Sequence, residues 1–194
     1  TSIVNAIHKD LGDQILANSD LPLDPIRDAT LFVTQRMMLR KEVQFATDFM
    51  LGGAWGTNVT GGSNFTKWST YASSDPITDI ETGKATILAN TGFLPNTLVL
   101  GYTAFRYLKN HPLLVDRFKH TTANVLTEEL LAMIFGIDRV LVCKAVKNSA
   151  NENETASYGF VQTGADALLC YVNPTPALLQ PSAGYTFGWT GISG

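Results

Sequence analysis

Two side chains in this sequence could act as nucleophiles. Thr103 stands at a strand-to-helix turn in Gly101-Tyr-Thr-Ala-Phe, and Cys170 lies in the apolar run Ala-Leu-Leu-Cys-Tyr. A hydrolase also needs a base and a group that orients it, but the sequence contains no Gly-x-Ser-x-Gly motif and no histidine near Cys170. We therefore interpret Thr103 as a helix N-cap and Cys170 as a core thiol, and keep a small hydrolase as a minor hypothesis.

Acid–base and metal chemistry have little support. His111 precedes a proline, which is typical of the end of a helix, and the three histidines are scattered with no Cys-x-x-Cys pair, so no metal site is expected. Acidic residues at predicted helix starts are stabilised by the helix dipole without any catalytic role; these are Asp75, Asp79, Glu128 and Glu129. The sequence predicts no catalytic, cofactor-binding or metal-binding residue, and hence no enzyme.

The composition also argues against nucleic-acid-binding and membrane-spanning proteins. The 194 residues carry a net charge of −3, and only 16% of them are charged, so no surface built to recognise nucleic acid is indicated. The longest apolar runs are shorter than the ~18–20 residues that a membrane span needs. A low fraction of charged residues is typical of a protein whose surface is largely covered by partners.

The two cysteines, Cys143 and Cys170, both lie in strand-like runs. Buried free thiols are the simpler interpretation, and a disulfide between them stays open.

One long helix is predicted over residues 24–50. Asp24 is suited to its N-cap and Pro25 to its first helical position. One apolar stripe recurs at helical spacing, and further apolar residues lie outside it, so the helix should pack on more than one neighbour. The stripe comprises Ala29, Phe32, Leu39, Val43, Ala46 and Met50, and the residues outside it are Val33, Met38, Phe45 and Phe49.

The rest of the sequence predicts an α+β fold. A Gly-rich connector, residues 51–74, is anchored by Trp55 and Trp68 and lacks the Gly-Lys-Ser/Thr of a phosphate-binding loop. Gly92 and Gly136 are predicted to end helices in the left-handed conformation. The predicted helices after the connector cover residues 75–92, 104–111, 113–121 and 128–136, the predicted strands cover 96–101, 139–146, 166–173 and 184–191, and 147–159 is predicted to be an exposed loop.

Several motifs of this sequence follow one another in a specific order and spacing. The first is Trp68-x-x-Tyr-x-x-Ser-Asp-Pro, which is followed by a helix, by Thr91-Gly-x-x-Pro-Asn-Thr-Leu-Val-Leu, and by a short helix ending in Asn-His-Pro112. Downstream lie the helix and strand ending in Lys144-Ala-Val and the closing segment 167–189. In their order and spacing, these motifs together resemble the major capsid proteins of tailed bacteriophages. The similarity runs from about Ala17 to Trp189.

The resemblance implies a Hong Kong-97-like capsid fold with a long spine helix, residues 25–50. It implies a peripheral domain in residues 1–69, an axial domain in 70–162, and closing strands in 163–194 that return to the peripheral domain. Loops of the axial domain, including residues 148–157, would line the centre or the outer face of a capsomer. An N-terminal arm and an extended loop, which the family carries before the spine helix, would precede or overlap Thr1.

We therefore predict a structural subunit that self-assembles into an icosahedral phage capsid enclosing double-stranded DNA. The implied partners are other copies in hexamers and pentamers, portal, scaffolding and decoration proteins, and packaged DNA contacted nonspecifically, with no membrane and no cofactor. The implied location is the virion capsid, after assembly in the bacterial host cytoplasm. The alternative is the shell protein of an encapsulin-like nanocompartment with protein cargo.

Overall fold

The computed structural model describes residues 5–19, 22–118, 126–151, 153–162, 164–177 and 179–186. Its contacts divide the chain into two compact units. The first unit comprises Thr1–Ala54 and Ala145–Val161, and the second comprises Trp55–Lys144 and Gln162–Gly194. These units reflect contacts within one chain, whereas the peripheral and axial domains are defined by position in a shell, so those domain boundaries stay a prediction.

The first unit is built on one long helix and a β-hairpin. Helix α2 follows the predicted pattern: the Asp24 side chain accepts hydrogen bonds from the backbone N–H groups of Ile26 and Arg27, and Pro25 takes the first helical position. A short helix that the sequence did not predict precedes it. The elements are α1 (Asp13–Ala17), α2 (Pro25–Phe49), β3 (Val146–Asn148) and β4 (Tyr158–Phe160).

The second unit contains a sheet of three strands in the order β2-β1-β5. Strand β1 is the central strand; it pairs in parallel with β2 and antiparallel with β5. All five of its residues are buried, as expected for a strand covered on both faces. The elements are α3 (Pro76–Thr91), β1 (Thr97–Gly101), α4 (Tyr102–Lys109), α5 (Pro112–Phe118), α6 (Glu128–Phe135), β2 (Arg139–Cys143) and β5 (Ala167–Cys170).

The core of the second unit lies between the sheet and its helices. Leucines of β1, α4, α5 and α6 are fully buried there and pack with Phe135 and Trp68. Trp68 anchors the Gly-rich connector as predicted, because its indole N–H donates to the Asp79 carboxylate at 2.8 Å. Lys84 is buried along its stem, and its ammonium group donates to Glu81 and to the Phe135 carbonyl at the end of α6.

Most predicted helix boundaries are confirmed. The side chains of Asp75 and Thr127 cap α3 and α6, and Gly92 and Gly136 adopt the left-handed conformation at their C-termini. The prediction that Thr103 caps the next helix is wrong, because α4 already begins at Tyr102 with Gly101 at the N-cap. A Cβ at Gly101 would lie 2.8 Å from the Gly164 carbonyl oxygen, so close packing keeps that position for glycine.

Two further predictions need correction, and the open question of a disulfide is answered. Residues 147–159 are not wholly loop, because their two ends pair as β3 and β4. A strand over 184–191 is not seen in Gly184–Thr186, and the rest of that range lies outside the described residues. A disulfide between Cys143 and Cys170 is excluded, because they pair with opposite ends of β1, roughly 13 Å apart along the strands.

Candidate functional site

Helix α2 carries apolar residues on two opposite sides. One side is half-buried or buried within the chain and contains Ala29, Val33, Val43, Ala46 and Met50. Successive residues of an α-helix turn by about 100°, so residues seven apart lie nearly in line. Leu31, Met38, Phe45 and Phe49 therefore share the opposite side, and we call these four residues the outer apolar stripe.

The outer apolar stripe faces solvent along most of the helix. Leu31 is 50% and Met38 65% exposed, Phe49 is exposed as well, and Phe45 is half-buried. The rings of Phe45 and Phe49 lie 5.5 Å apart, so the C-terminal end of the stripe is aromatic. From Leu31 to Phe49 the stripe runs about 27 Å. The predicted apolar residues outside the inner stripe are thus confirmed for Met38, Phe45 and Phe49, whereas Val33 belongs to the inner side.

Phe32 departs from the predicted inner stripe. Its ring is exposed and lies beneath two cations, with the Lys9 ammonium nitrogen 5.3 Å and the Arg36 guanidinium carbon 4.9 Å from the ring centroid. Such contacts let an aromatic ring remain at a surface. Phe32 is therefore shielded by charge, unlike the outer apolar stripe.

The β3–β4 hairpin adds a second exposed apolar surface to the first unit. Val146 pairs with Phe160 and Asn148 with Tyr158, so these side chains lie on one face of the hairpin. Tyr158 is 75% exposed, and Val146 is exposed too. Isolated two-stranded hairpins are marginal in water, and a partner covering this face would stabilise it.

The residues that could have supported a hydrolase lie in unsuitable settings. Thr103 is the second residue of α4, with no histidine hydrogen bond among its described contacts. Cys170 is buried at the end of β5, and burial raises the pKa of its thiol, which disfavours the reactive thiolate. These positions fit packing better than nucleophilic attack.

The structure brings together a serine and a histidine that sequence reasoning did not connect. Ser74 Oγ lies 2.9 Å from His111 Nε2, although the two residues are 37 positions apart. His111 is fully buried, Ser74 nearly so, and the serine also donates to the Thr70 carbonyl at 2.8 Å. The Tyr71 ring meets the imidazole edge-on. Because both side chains are buried, a substrate cannot reach them. The pair instead joins the Gly-rich connector to the start of α5.

Ser74 and His111 should make stability depend on pH. Burial lowers the pKa of His111 from its ordinary 6.5, with Asp75 acting in the opposite direction. The unfolded state then binds more protons, so the stabilising contribution is complete above pH ~6.5 and is lost as the pH falls through the native pKa. We expect the free energy of unfolding, measured in urea between about pH 7.5 and about pH 5.5, to fall more for wild type than for His111→Gln. An equal fall in both proteins would contradict this role.

The carboxylates named by the sequence have structural partners. Asp75 caps α3, and hydrogen bonds to Thr78 lower the pKa of its carboxyl group. Burial raises the pKa of Asp79 although the Trp68 indole donates to it. Glu128 pairs with Lys144 at 2.7 Å. None of these pairs forms a general acid–base couple around an open cleft in the described part of the chain.

Two kinds of site are not observed in the parts of the chain that the structure describes. No group of three or more histidine, cysteine, aspartate or glutamate side chains there could hold a metal ion. Within the same residues, no helix combines the length and apolar character needed to cross a membrane.

Comparison with known proteins finds relatives that match most of the chain. No protein-family model matches. The chain is 30% identical over 199 aligned positions to the major capsid protein of Burkholderia phage BcepMu, an alignment that covers 92% of this chain and 62% of that protein. The crystal structure of a phage-related protein from Bordetella bronchiseptica is 30% identical and superposes with a TM-score of 0.72, covering 91% of this chain and 57% of that one.

These matches bear directly on the resemblance predicted from the sequence. The chain spans about three fifths of the length of both relatives. The fold is similar to that of a phage-related protein over most of this chain, and the relative found by sequence is the major capsid protein of a phage. The resemblance is therefore confirmed: this chain is a homologue of a phage major capsid protein.

Proposed function

We propose that this protein is the shell subunit of a tailed phage and assembles into an icosahedral capsid that encloses double-stranded DNA. The observation that carries the proposal is the outer apolar stripe of α2, considered together with the homology to a major capsid protein. Apolar side chains aligned on one side of a helix are typical of a face that packs against a partner.

The energetics of the stripe suit repeated assembly. Covering a half-exposed leucine or methionine contributes about 1 kcal/mol, so the stripe contributes a few kcal/mol per subunit. One such contact is weak, but each subunit in a closed shell makes several, and simultaneous contacts raise the overall stability sharply. Heterologous contacts that close into rings of five or six subunits give the predicted pentamers and hexamers.

In this proposal the shell has a Hong Kong-97-like fold, with α2 as the spine helix. Residues 1–69 and the closing strands in 163–194 form the peripheral domain, and 70–162 form the axial domain at the capsomer centres. Portal, scaffolding and decoration proteins are the further partners. The net charge of −3 suits a subunit that contacts DNA weakly and without sequence preference. The role requires no catalytic residue and no cofactor, and assembly takes place in the host cytoplasm.

The content of native particles tests the proposal. Particles containing this protein would be purified, treated with nuclease from outside, opened, and assayed for protected nucleic acid and for other proteins. We expect protected double-stranded DNA of uniform length. Particles that protect a single enzyme and no DNA would instead identify an encapsulin-like nanocompartment and overturn the phage capsid function.

A further inference from the structure

A closed loop follows strand β5 and returns to its own start. The backbone N–H of Ala183 donates to the Tyr171 carbonyl at 2.8 Å, which brings the two ends of the segment together. Compact surface loops whose ends meet in this way keep a shape of their own and are frequently functional. We call residues 171–185, of which residue 178 lies outside the described residues, the closing loop.

Asn173 organises the closing loop from within. Its side chain is buried; the amide donates to the Gln180 side-chain oxygen, and its carbonyl oxygen accepts from the Thr175 backbone N–H at 3.1 Å. Its own backbone N–H donates to Ser182 Oγ at 3.2 Å. One buried side chain therefore joins both halves of the loop.

Further constraints stiffen the same segment. The Tyr185 hydroxyl donates to the Gln180 carbonyl at 3.3 Å. Pro174, Pro176 and Pro181 fix three φ angles and narrow the conformations open to the unfolded chain. The loop is consequently shaped before any partner arrives, which lowers the entropic cost of binding.

Leu179 lies in this ordered loop and is 98% exposed. Its φ angle is +69°, in the left-handed region that favours glycine and asparagine and is unfavourable for leucine. A strained backbone and an apolar side chain in water both disfavour leucine at this position, and no contact within the described chain offsets them. Strain of this kind persists where the surroundings impose it, and it is concentrated at binding and switch sites.

We propose that Leu179 is a preformed anchor by which one copy of this chain docks on an apolar surface of a second copy. A second copy is the occupant because the homologue is a major capsid protein, whose subunits meet one another. An apolar side chain held outward on a stiff loop has the form of an interface anchor, which contributes strongly once it is fully desolvated. A protruding residue that meets a different surface on its neighbour makes a heterologous contact, the kind that closes rings. The inference rests on the proposed function.

Two substitutions separate anchoring from folding. Leu179→Asn suits the left-handed backbone and is polar, whereas Leu179→Met keeps an apolar side chain on the same strained backbone. In the native full-length protein we expect Leu179→Asn to raise the critical concentration for assembly by about tenfold or more, and Leu179→Met to change it by less than about threefold. The thermal midpoint of the unassembled Leu179→Asn subunit should be unchanged or higher.

The results of these experiments test the Leu179 anchor separately from the proposed capsid function. Assembly of Leu179→Asn at the wild-type concentration would overturn the anchor and leave the capsid function standing. Poor assembly accompanied by a lower thermal midpoint would assign Leu179 to loop folding and would also overturn it. Failure of wild type to assemble at all would overturn the proposed function itself. A photoreactive side chain at position 179 should, in addition, link two copies of the chain within assembled particles and not in dilute subunits.

Discussion

Replacing Met38 with glutamate is expected to abolish assembly of the native full-length protein while leaving the fold of the subunit intact. Met38 lies in the middle of the outer apolar stripe and is 65% exposed, so the isolated subunit can hydrate the new carboxylate. Glutamate also matches methionine in helix propensity, so α2 should keep its length. In an interface the same carboxylate would be desolvated without a partner, which costs several kcal/mol. Sedimentation would measure assembly, and circular dichroism the helix content.

A matched control comes from the same helix. Met37→Glu makes the same replacement at the preceding residue, which is 37% exposed and is turned about 100° around the helix away from the outer apolar stripe. We expect this variant to assemble as wild type does. If Met38→Glu assembled as well as Met37→Glu, the outer apolar stripe would not be an assembly surface.

Replacing Leu100 with alanine is expected to cost about 2–5 kcal/mol of unfolding free energy, a large part of the 5–15 kcal/mol typical of a domain. Leu100 is fully buried in the central strand β1, where it pairs with Val142 of β2 and Ala167 of β5. Truncation leaves a cavity between the sheet and its helices that neighbouring backbones cannot close. Urea denaturation of the unassembled subunit provides the measurement.

Leu141→Ala is the control for Leu100→Ala. Leu141 lies in the adjacent strand β2 of the same sheet but is 48% exposed, so its truncation should cost less than about 1 kcal/mol. Similar losses for both variants would mean that β1 is not the centre of the core of the second unit.

Much of the fold could be predicted because its signals are local. Asp24-Pro25 and Asp75-Pro76 each combine a side-chain cap with a proline at the first helical position, and both helices begin there. The second apolar side of α2 could also be predicted from spacing alone, because Met38 and Phe45 lie seven residues apart. Both features depend on residues within a few turns of one another.

The remaining features depend on contacts that no local sequence pattern shows. Threonine is a common N-cap residue, but α4 begins before Thr103, where Gly101 packs closely against the Gly164 carbonyl oxygen. No local pattern joins Ser74 to His111 across 37 positions. The exposure of Leu179 follows from hydrogen bonds around Asn173, whereas an apolar residue between prolines gives no such signal in the sequence. Tertiary contacts decide the first two features, and hydrogen bonds within the closing loop decide the third.

Electron microscopy of the native full-length protein in negative stain would show whether this protein assembles with itself. The proposed function predicts uniform closed shells some tens of nanometres across, or separate hexamers and pentamers where closure is incomplete. A strictly monomeric protein at high concentration would contradict it.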